Sequence, residues 1–171
     1  MWNIRTSVPE DIPAQRQLWQ LAFGDEDAYI DNFYRTYYRP ERVIVLEEGG
    51  AVRSMSAWFD TVFRVPGQGD FRTAYLYAVA TAPAYRRRGL CGKVLAFAEA
   101  ALRKEGVSYA LLVPSEPPLF DLYRRDGYRT VAFRGAEKIA AAPCAGTVQE
   151  IDAEAYFNLR ELLLYENFLS C

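Results

Sequence analysis

The chain of 171 residues contains no histidine. This absence excludes the Ser-His-Asp and Cys-His arrangements of hydrolases, because an imidazole is the general base in both. It also excludes metal sites that depend on histidine ligands. We therefore predict a protein without a metal, whose chemistry rests on other side chains.

Cysteine and long hydrophobic runs are also scarce. Cys91, Cys144 and Cys171 lie far apart and form no Cys-x-x-Cys pair. An odd number of separated cysteines favours a reducing compartment over a disulfide framework. The N-terminus lacks the features of a signal peptide, and no apolar run approaches the roughly 18 residues of a membrane helix. We expect a cytoplasmic protein with no membrane partner.

The chain has no excess of positive charge, since its formal net charge at pH 7 is −2. A general nucleic-acid binder would show a basic excess, so we expect no nucleic-acid partner. Hydrophobic residues make up 51% of the chain, which is enough to build a core. With neither a linker nor an internal repeat, the sequence predicts a single domain over residues 1–171.

The hydrophobic pattern changes from strand-like to helical near residue 86. The sequence predicts a first helix from Ser7 to Gly24 and a second helix from Asp25 through Tyr37. Strands dominate the part that follows, with Gly49 and Gly50 as a hairpin turn. A helix over 90–105, a strand over 109–113 and a helix ending near Gly127 follow. This mixed order is typical of an α/β (α+β) domain. The other predicted elements are strands over 2–6, 42–46, 51–65, 71–81, 128–134 and 137–141, and a C-terminal helix over 152–168 capped by Asp152.

The fourth predicted strand, 71–81, carries no carboxylate. Its alternation predicts Tyr75, Tyr77 and Val79 on one face. A general base for an active site at this strand would therefore have to come from elsewhere.

A cluster of arginine and glycine stands where the fourth strand gives way to the long helix. Residues 84–95 read AYRRRGLCGKVL. A strand, a glycine corner and a helix N-terminus are the geometry that binds phosphate on backbone amides. A Walker A loop is excluded, because Arg87 replaces its first glycine and Val94 follows Lys93. The residues alone leave two alternatives: a phosphate-binding loop, or an ordinary turn with a charged rim.

Two stretches resemble motifs of the GNAT N-acetyltransferase superfamily. YAVATAPAYRRRGLCGKVL is similar to its acetyl-CoA-binding motif, Q/R-x-x-G-x-G/A at the start of a helix, with Arg86, Gly89 and Cys91 in the three positions. Cys91 departs from the usual glycine or alanine. LFDLYRRDGY is similar to the family's helix ending in Tyr-x-x-x-Gly-aromatic. The resemblance covers residues 3 to 133.

The resemblance implies the GNAT fold: a mixed, mostly antiparallel sheet, flanked by helices, whose fourth and fifth strands splay apart to admit acetyl-CoA as cosubstrate. It implies that the backbone of one strand segment pairs with the pantetheine arm. It also implies a loop for the pyrophosphate, opened by the motif residue Arg86. The strand segment is Val79, Ala80 and Thr81; the loop is Arg87, Arg88, Gly89, Leu90, Cys91 and Gly92.

The resemblance also assigns chemistry to two residues. Tyr123 matches the tyrosine that protonates the CoA sulfur in many members, which makes it the expected general acid. Glu116 stands where many members have asparagine and is a candidate base. Other candidates are the acidic cluster at 25–27 and a chain of water molecules. Tyr75 and Tyr77 stand where some relatives carry glutamate.

Two functions follow from these expectations. The first is an N-acetyltransferase that acts on the primary amine of a small molecule or protein. The alternative is a non-catalytic acyl-CoA-binding or interaction module with the same fold.

The acceptor is unidentified; aromatic residues of the second predicted helix either line its pocket or pack on the sheet. Apolar residues of the last helix either pack on the sheet or form a homodimer contact. The aromatic residues are Phe33, Tyr34, Tyr37 and Tyr38.

Overall fold

A computed structural model describes residues 1–65, 67–131 and 149–168. The chain divides into two compact units, Met1–Tyr128 and Arg129–Cys171. Within the described residues, no helix is both long enough and apolar enough to cross a bilayer. The single domain over 1–171 stays a prediction.

The first unit is built on a sheet whose described strands run in the order β1-β2-β3-β4-β5. The pairs β1–β2, β2–β3 and β3–β4 are antiparallel, and β4–β5 is parallel. This confirms the predicted mixed, mostly antiparallel sheet. The strands are β1 (Trp2–Thr6), β2 (Val43–Glu48), β3 (Ala51–Val65), β4 (Gly69–Thr81) and β5 (Tyr109–Leu111).

Of the α-helices in the described part of the chain, four belong to the first unit and one to the second. The first of them ends at Gly24, whose φ of 71° is left-handed and whose N–H donates to the Gln20 carbonyl at 2.9 Å. Glycine adopts this conformation without steric cost, so it stops a helix there. The helices are α1 (Ile12–Phe23), α2 (Asp27–Thr36), α3 (Leu90–Lys104), α4 (Pro117–Arg125) and α5 (Ala153–Phe168); short 3-10 turns occupy Pro9–Asp11, Pro40–Arg42 and Pro83–Tyr85.

The sheet separates two hydrophobic clusters. The strand β2 supplies both, because successive side chains of a strand point to opposite faces. Ile44 and Leu46 contribute to the cluster on the α3 face, which we call cluster 1. Val43 and Val45 contribute to the cluster on the face of α1 and α2, which we call cluster 2. The two faces thus carry different helices, and both are buried at β2.

The C-terminal helix α5 has the predicted cap. The Asp152 carboxylate accepts a hydrogen bond from the Ala155 backbone N–H at 2.8 Å, as an N-terminal cap does. Of the predicted closing strands, residues 128–131 have no regular secondary structure. The rest of the first closing strand, and all of the second at 137–141, lie outside the described residues.

Candidate active site

The strands β4 and β5 part after a short contact. They pair only where residues 73–75 of β4 meet Tyr109–Leu111 of β5. Beyond Tyr75, β4 continues to Thr81 and stays paired with β3 on its other side. Among the described residues, no strand covers the β5-facing edge of this last part of β4. We call the point of divergence, at Tyr75 and Leu111, the fork.

A bulge interrupts β4 just beyond the fork. Ala78 and Val79 together lie opposite Ser56 of β3. Ala78 has a φ of 47°, in the left-handed region that non-glycine residues rarely adopt. An extra residue in one strand reverses the alternation of side chains that follow it. Tyr77 and Ala78 therefore both contact cluster 2, while Val79 packs against cluster 1. The prediction that Val79 shares the face of Tyr77 is wrong for this reason.

The loop between β4 and α3 ends at Gly89, and in the described part of the chain the space beside the backbone of this residue is empty. Gly89 is the N-terminal cap of α3 and has a φ of 74°, and Arg87 also has a positive φ, of 61°. Among the described residues other than Gly89 and its two chain neighbours, no atom is found within 4 Å of the position that a Gly89 Cβ would occupy. The first backbone N–H groups of a helix have no intrahelical acceptor. An anion can therefore approach the amides at the start of α3 closely.

The arginines of this loop are held by different partners. Arg86 donates from Nε to the Thr81 carbonyl at 3.1 Å, which ties the loop to the end of β4. Arg88 donates from Nη2 to Glu48 Oε1 at 2.8 Å. These contacts hold two cations beside the N-terminus of α3, where the helix dipole also favours negative charge.

We call Arg53, Arg86 and Arg88 the basic cluster. Sequence reasoning missed its member Arg53, which lies in β3. The guanidinium carbons of Arg53 and Arg88 lie 4.5 and 5.0 Å from the centre of the Tyr85 ring. The contact is a cation–π interaction on one aromatic ring. Arg53 is distant from Tyr85 in the chain, and only the pairing of β3 with β4 brings the two together. No local motif signals such a contact.

Tyr123 of α4 is buried, with 8% of its surface exposed, and belongs to cluster 1. Its ring meets that of Tyr128 edge-on, with the centroids 5.9 Å apart. Burial, followed by the electrostatic influence of Cys91 and Asp126, raises the pKa of Tyr123 to about 12. The phenol is therefore protonated at neutral pH and available as a donor.

Cys91 lies in the first turn of α3 and packs against cluster 1. Burial, followed by the charge of Asp126, raises the pKa of this thiol to about 11. A neutral thiol is a poor nucleophile. The cysteine thus fills space against the core at a position where the motif has glycine or alanine.

Glu116 precedes α4 as its N-terminal cap residue and is exposed. Its carbonyl accepts a hydrogen bond from the Leu119 N–H at 3.0 Å. The backbone of Glu116 therefore starts the helix. Its role as a base stays a prediction.

A cavity of about 450 Å³ lies on the α2 face of the sheet. Phe33 lies deep and is buried, whereas Tyr29 and Tyr37 are exposed at the rim. Tyr77 stands two residues beyond the fork in β4, so the cavity borders the place where β4 and β5 part. The described lining residues are Tyr29, Asn32, Phe33, Tyr37, Phe59 and Tyr77.

The four aromatic residues singled out from the sequence, Phe33, Tyr34, Tyr37 and Tyr38, divide into two pairs. Phe33 and Tyr37 line the cavity. Tyr34 instead donates its hydroxyl hydrogen to Gln15 Oε1 at 3.1 Å, and Tyr38 shares a hydrogen bond of 2.8 Å with the Ser7 hydroxyl. That the aromatic residues of this region line an acceptor pocket stays a prediction.

The acidic cluster at 25–27 is engaged in structural contacts. The Asp25 carboxylate accepts a hydrogen bond from the Trp19 indole N–H at 2.8 Å, and Asp27 lies 3.7 Å from Arg16. Within the described residues, no group of acidic and cysteine side chains is arranged to hold a metal ion.

Comparison with known proteins identifies relatives of this chain. A family model described as "Acetyltransferase (GNAT) domain" matches residues 3–131. No curated protein matches the chain. Three similar solved structures share 13–18% of aligned residues with it, a level that shows the fold alone.

The first of these structures is glucosamine-6-phosphate N-acetyltransferase from Arabidopsis thaliana, with 16% identity over 82% of this chain and 99% of that one and a TM-score of 0.61. AAC(6')-Iy in complex with the bisubstrate analogue CoA-S-monomethyl-acetylneamine has 13% identity over 82% of this chain and 99% of that one, with a TM-score of 0.64. A GCN5-related N-acetyltransferase from Anabaena variabilis has 18% identity over 73% of this chain and a TM-score of 0.65. The match spans 31% of that longer chain.

Proposed function

Because the chain belongs to the acetyltransferase (GNAT) family, we propose that it transfers the acetyl group of acetyl-CoA to a primary amine. The observation that carries this proposal is the fork between β4 and β5, with the open start of α3 at its end. A free strand edge beside a helix N-terminus suits a ligand with an amide-bearing arm and a pyrophosphate.

The backbone of Val79, Ala80 and Thr81 is proposed to pair with the pantetheine arm. The edge of β4 beyond the fork supports this proposal, because no described strand covers it and an uncovered strand edge can pair with an extended segment. The amides of residues 87–92 and the cations of the basic cluster are proposed to hold the pyrophosphate. The open space at Gly89 supports close approach of a phosphate.

The thioester of acetyl-CoA supplies the acyl group. The amine nitrogen bonds to the acyl carbon, the C–S bond breaks, and its electron pair goes to sulfur. The Tyr123 hydroxyl donates its proton to that sulfur. Glu116 is proposed to take the proton that the amine loses. An amine with a pKa of about 10.4 is neutral in only about one molecule in a thousand at pH 7.4, so its deprotonation costs roughly 4 kcal/mol of free energy.

A non-catalytic acyl-CoA-binding module is the second candidate function. It is favoured by one observation: β4 carries no carboxylate between Phe71 and Thr81. Such a module would bind acetyl-CoA and release no CoA when an amine is added.

The test is acetyl-CoA binding followed by turnover on a panel of primary amines. Acetyl-CoA at about 100 times its Kd should raise the free energy of unfolding by about 2.7 kcal/mol, visible as an increase in Tm. Free CoA thiol should then form when an amine is added. Binding without thiol release on any amine would favour the module, and absence of binding would contradict both functions.

A further inference from the structure

The cavity on the α2 face has a chemistry of its own. Of the six lining residues that the structure describes, five are aromatic and one is an amide, so none carries a formal charge. An ionised carboxylate or phosphate on a ligand would find no cation there, and a polycation would find no carboxylate. Burying a charge without a partner is costly, so such ligands are disfavoured.

The lining rings form a connected aromatic surface. Phe59 lies in its middle, with ring centroids 6.0 Å from Phe33, 5.4 Å from Tyr37 and 5.1 Å from Tyr77. These spacings are those of mutually interacting aromatic rings. An additional flat ring of a ligand fits such a surface by the same edge-to-face and offset contacts.

A pair of tyrosine hydroxyl groups lies in this aromatic surface, next to the fork. The hydroxyls of Tyr29 and Tyr77 hydrogen-bond to each other. One hydroxyl hydrogen is used in this bond, and oxygen lone pairs remain to accept a hydrogen from an amine N–H. Burial and the bond to Tyr29 raise the pKa of Tyr77, so this pair orients an amine without removing its proton.

From this geometry we infer that the cavity binds the acceptor, and that the acceptor is a small primary amine with an uncharged aromatic ring. The ring packs against Phe33, Tyr37 and Phe59, and the amine lies at the Tyr29–Tyr77 hydroxyls beside the fork. The inference rests on the proposed acetyl transfer, because it names the substrate class of the same site. A cavity of about 450 Å³ has the size of a small-molecule pocket.

The test compares kcat/KM values calculated on the concentration of neutral amine, because the benzylic and cyclohexyl amines differ in pKa. Benzylamine and cyclohexylmethylamine differ in ring aromaticity, and 4-(aminomethyl)benzoate adds a charge to the first. We expect kcat/KM for benzylamine to exceed that for each of the others by about tenfold or more. Equal or higher kcat/KM for cyclohexylmethylamine or for the benzoate would overturn the inference. Absence of transfer to all three amines and to a wider panel, with acetyl-CoA bound, would contradict the proposed function instead.

A matched pair of variants locates the binding site. Tyr37 and Tyr109 are both exposed, at 54% and 45%, and each makes aromatic contacts, but only Tyr37 lines the cavity. Tyr37→Ser should lower kcat/KM for benzylamine by about tenfold and weaken binding of N-benzylacetamide measured by calorimetry. Tyr109→Ser should change neither quantity, and both variants should bind acetyl-CoA as the wild type does. Equal effects of the two variants, or no effect of Tyr37→Ser, would overturn the inference.

Discussion

At the scale of single residues, Tyr123 combines burial with a hydroxyl of raised pKa. Its ring packs in cluster 1 and against Tyr128, while the surrounding charge and burial favour the protonated phenol. A proton donor to a departing thiolate must be protonated when the C–S bond breaks. Positioned acid catalysis contributes typically about 10²–10⁴-fold to a rate.

Tyr123→Phe removes the hydroxyl and keeps the ring. We expect kcat to fall by about 10²–10⁴-fold, with acetyl-CoA affinity and the free energy of unfolding nearly unchanged. Steady-state kinetics on an amine whose chemical step limits turnover, with calorimetry and denaturant unfolding as controls, measures all three quantities. Equal kcat for the two proteins would exclude Tyr123 as the acid.

The pH profile supplies a control on the same residue. A pKa near 12 keeps the phenol protonated well above neutrality, so wild-type kcat should show no alkaline loss due to Tyr123 below that range. The spacing Tyr-x-x-x-Gly-aromatic led to Tyr123 as the expected acid, a role that stays a prediction. The contact of Arg53 with Tyr85 was not predictable, because the pairing of β3 with β4 brings Arg53 to the turn that follows β4.

At the scale of elements, the β4 bulge decides which side chains reach which face. Periodicity predicts an uninterrupted strand, and the sequence of β4 contains no glycine or proline at the bulge to suggest otherwise. Ala78 adopts its positive φ because the pairing on both sides of it holds the strand in place. The bulge places Val79 on the α3 face, opposite the face on which Tyr77 lines the cavity.

Two alanine substitutions in β4 test the strain at this bulge. Ala78 and Ala80 are both buried, but only Ala78 has a positive φ. Ala80→Gly should lower the free energy of unfolding, because glycine in a strand costs about 0.5–1 kcal/mol relative to alanine. Ala78→Gly removes the steric strain of an alanine in the left-handed conformation. This raises the free energy of unfolding by roughly 1–2 kcal/mol and offsets the loss that glycine causes in a strand.

The two variants should therefore differ in stability by about 1–2 kcal/mol, with Ala78→Gly the more stable. Urea unfolding measures the difference. Equal losses in both variants would show that the conformation of Ala78 carries no strain.

The strand β5 illustrates a second limit of periodicity. The apolar run predicts a strand over 109–113, whereas the structure ends it at Leu111. Val113 is 73% exposed, because β5 has already left β4 at the fork. Pairing, rather than apolarity, sets where a strand ends, and pairing at a splayed edge cannot be derived from local pattern.

At the scale of the whole first unit, the proposed functional residues lie on both faces of the sheet. Tyr123 and the start of α3 lie with cluster 1, and the aromatic cavity lies with cluster 2. Acetyl-CoA bound along the free edge of β4 would meet an acid from one face and an amine from the other. The order of β2, β3 and α3 was predictable, because the Gly49-Gly50 turn marks a hairpin and helical periodicity marks α3. The cavity was only partly predictable, since it combines residues of α2, β3 and β4.

The measurement that tests the central claim most directly is the product balance of one reaction. Wild-type protein is mixed with acetyl-CoA and benzylamine, and free CoA thiol and N-benzylacetamide are both quantified by mass spectrometry. The account predicts equal amounts of the two products, formed faster than in the absence of protein and much more slowly with Tyr123→Phe. CoA release without the amide, or no release from bound acetyl-CoA on this or any other primary amine, would contradict acetyl transfer by this protein.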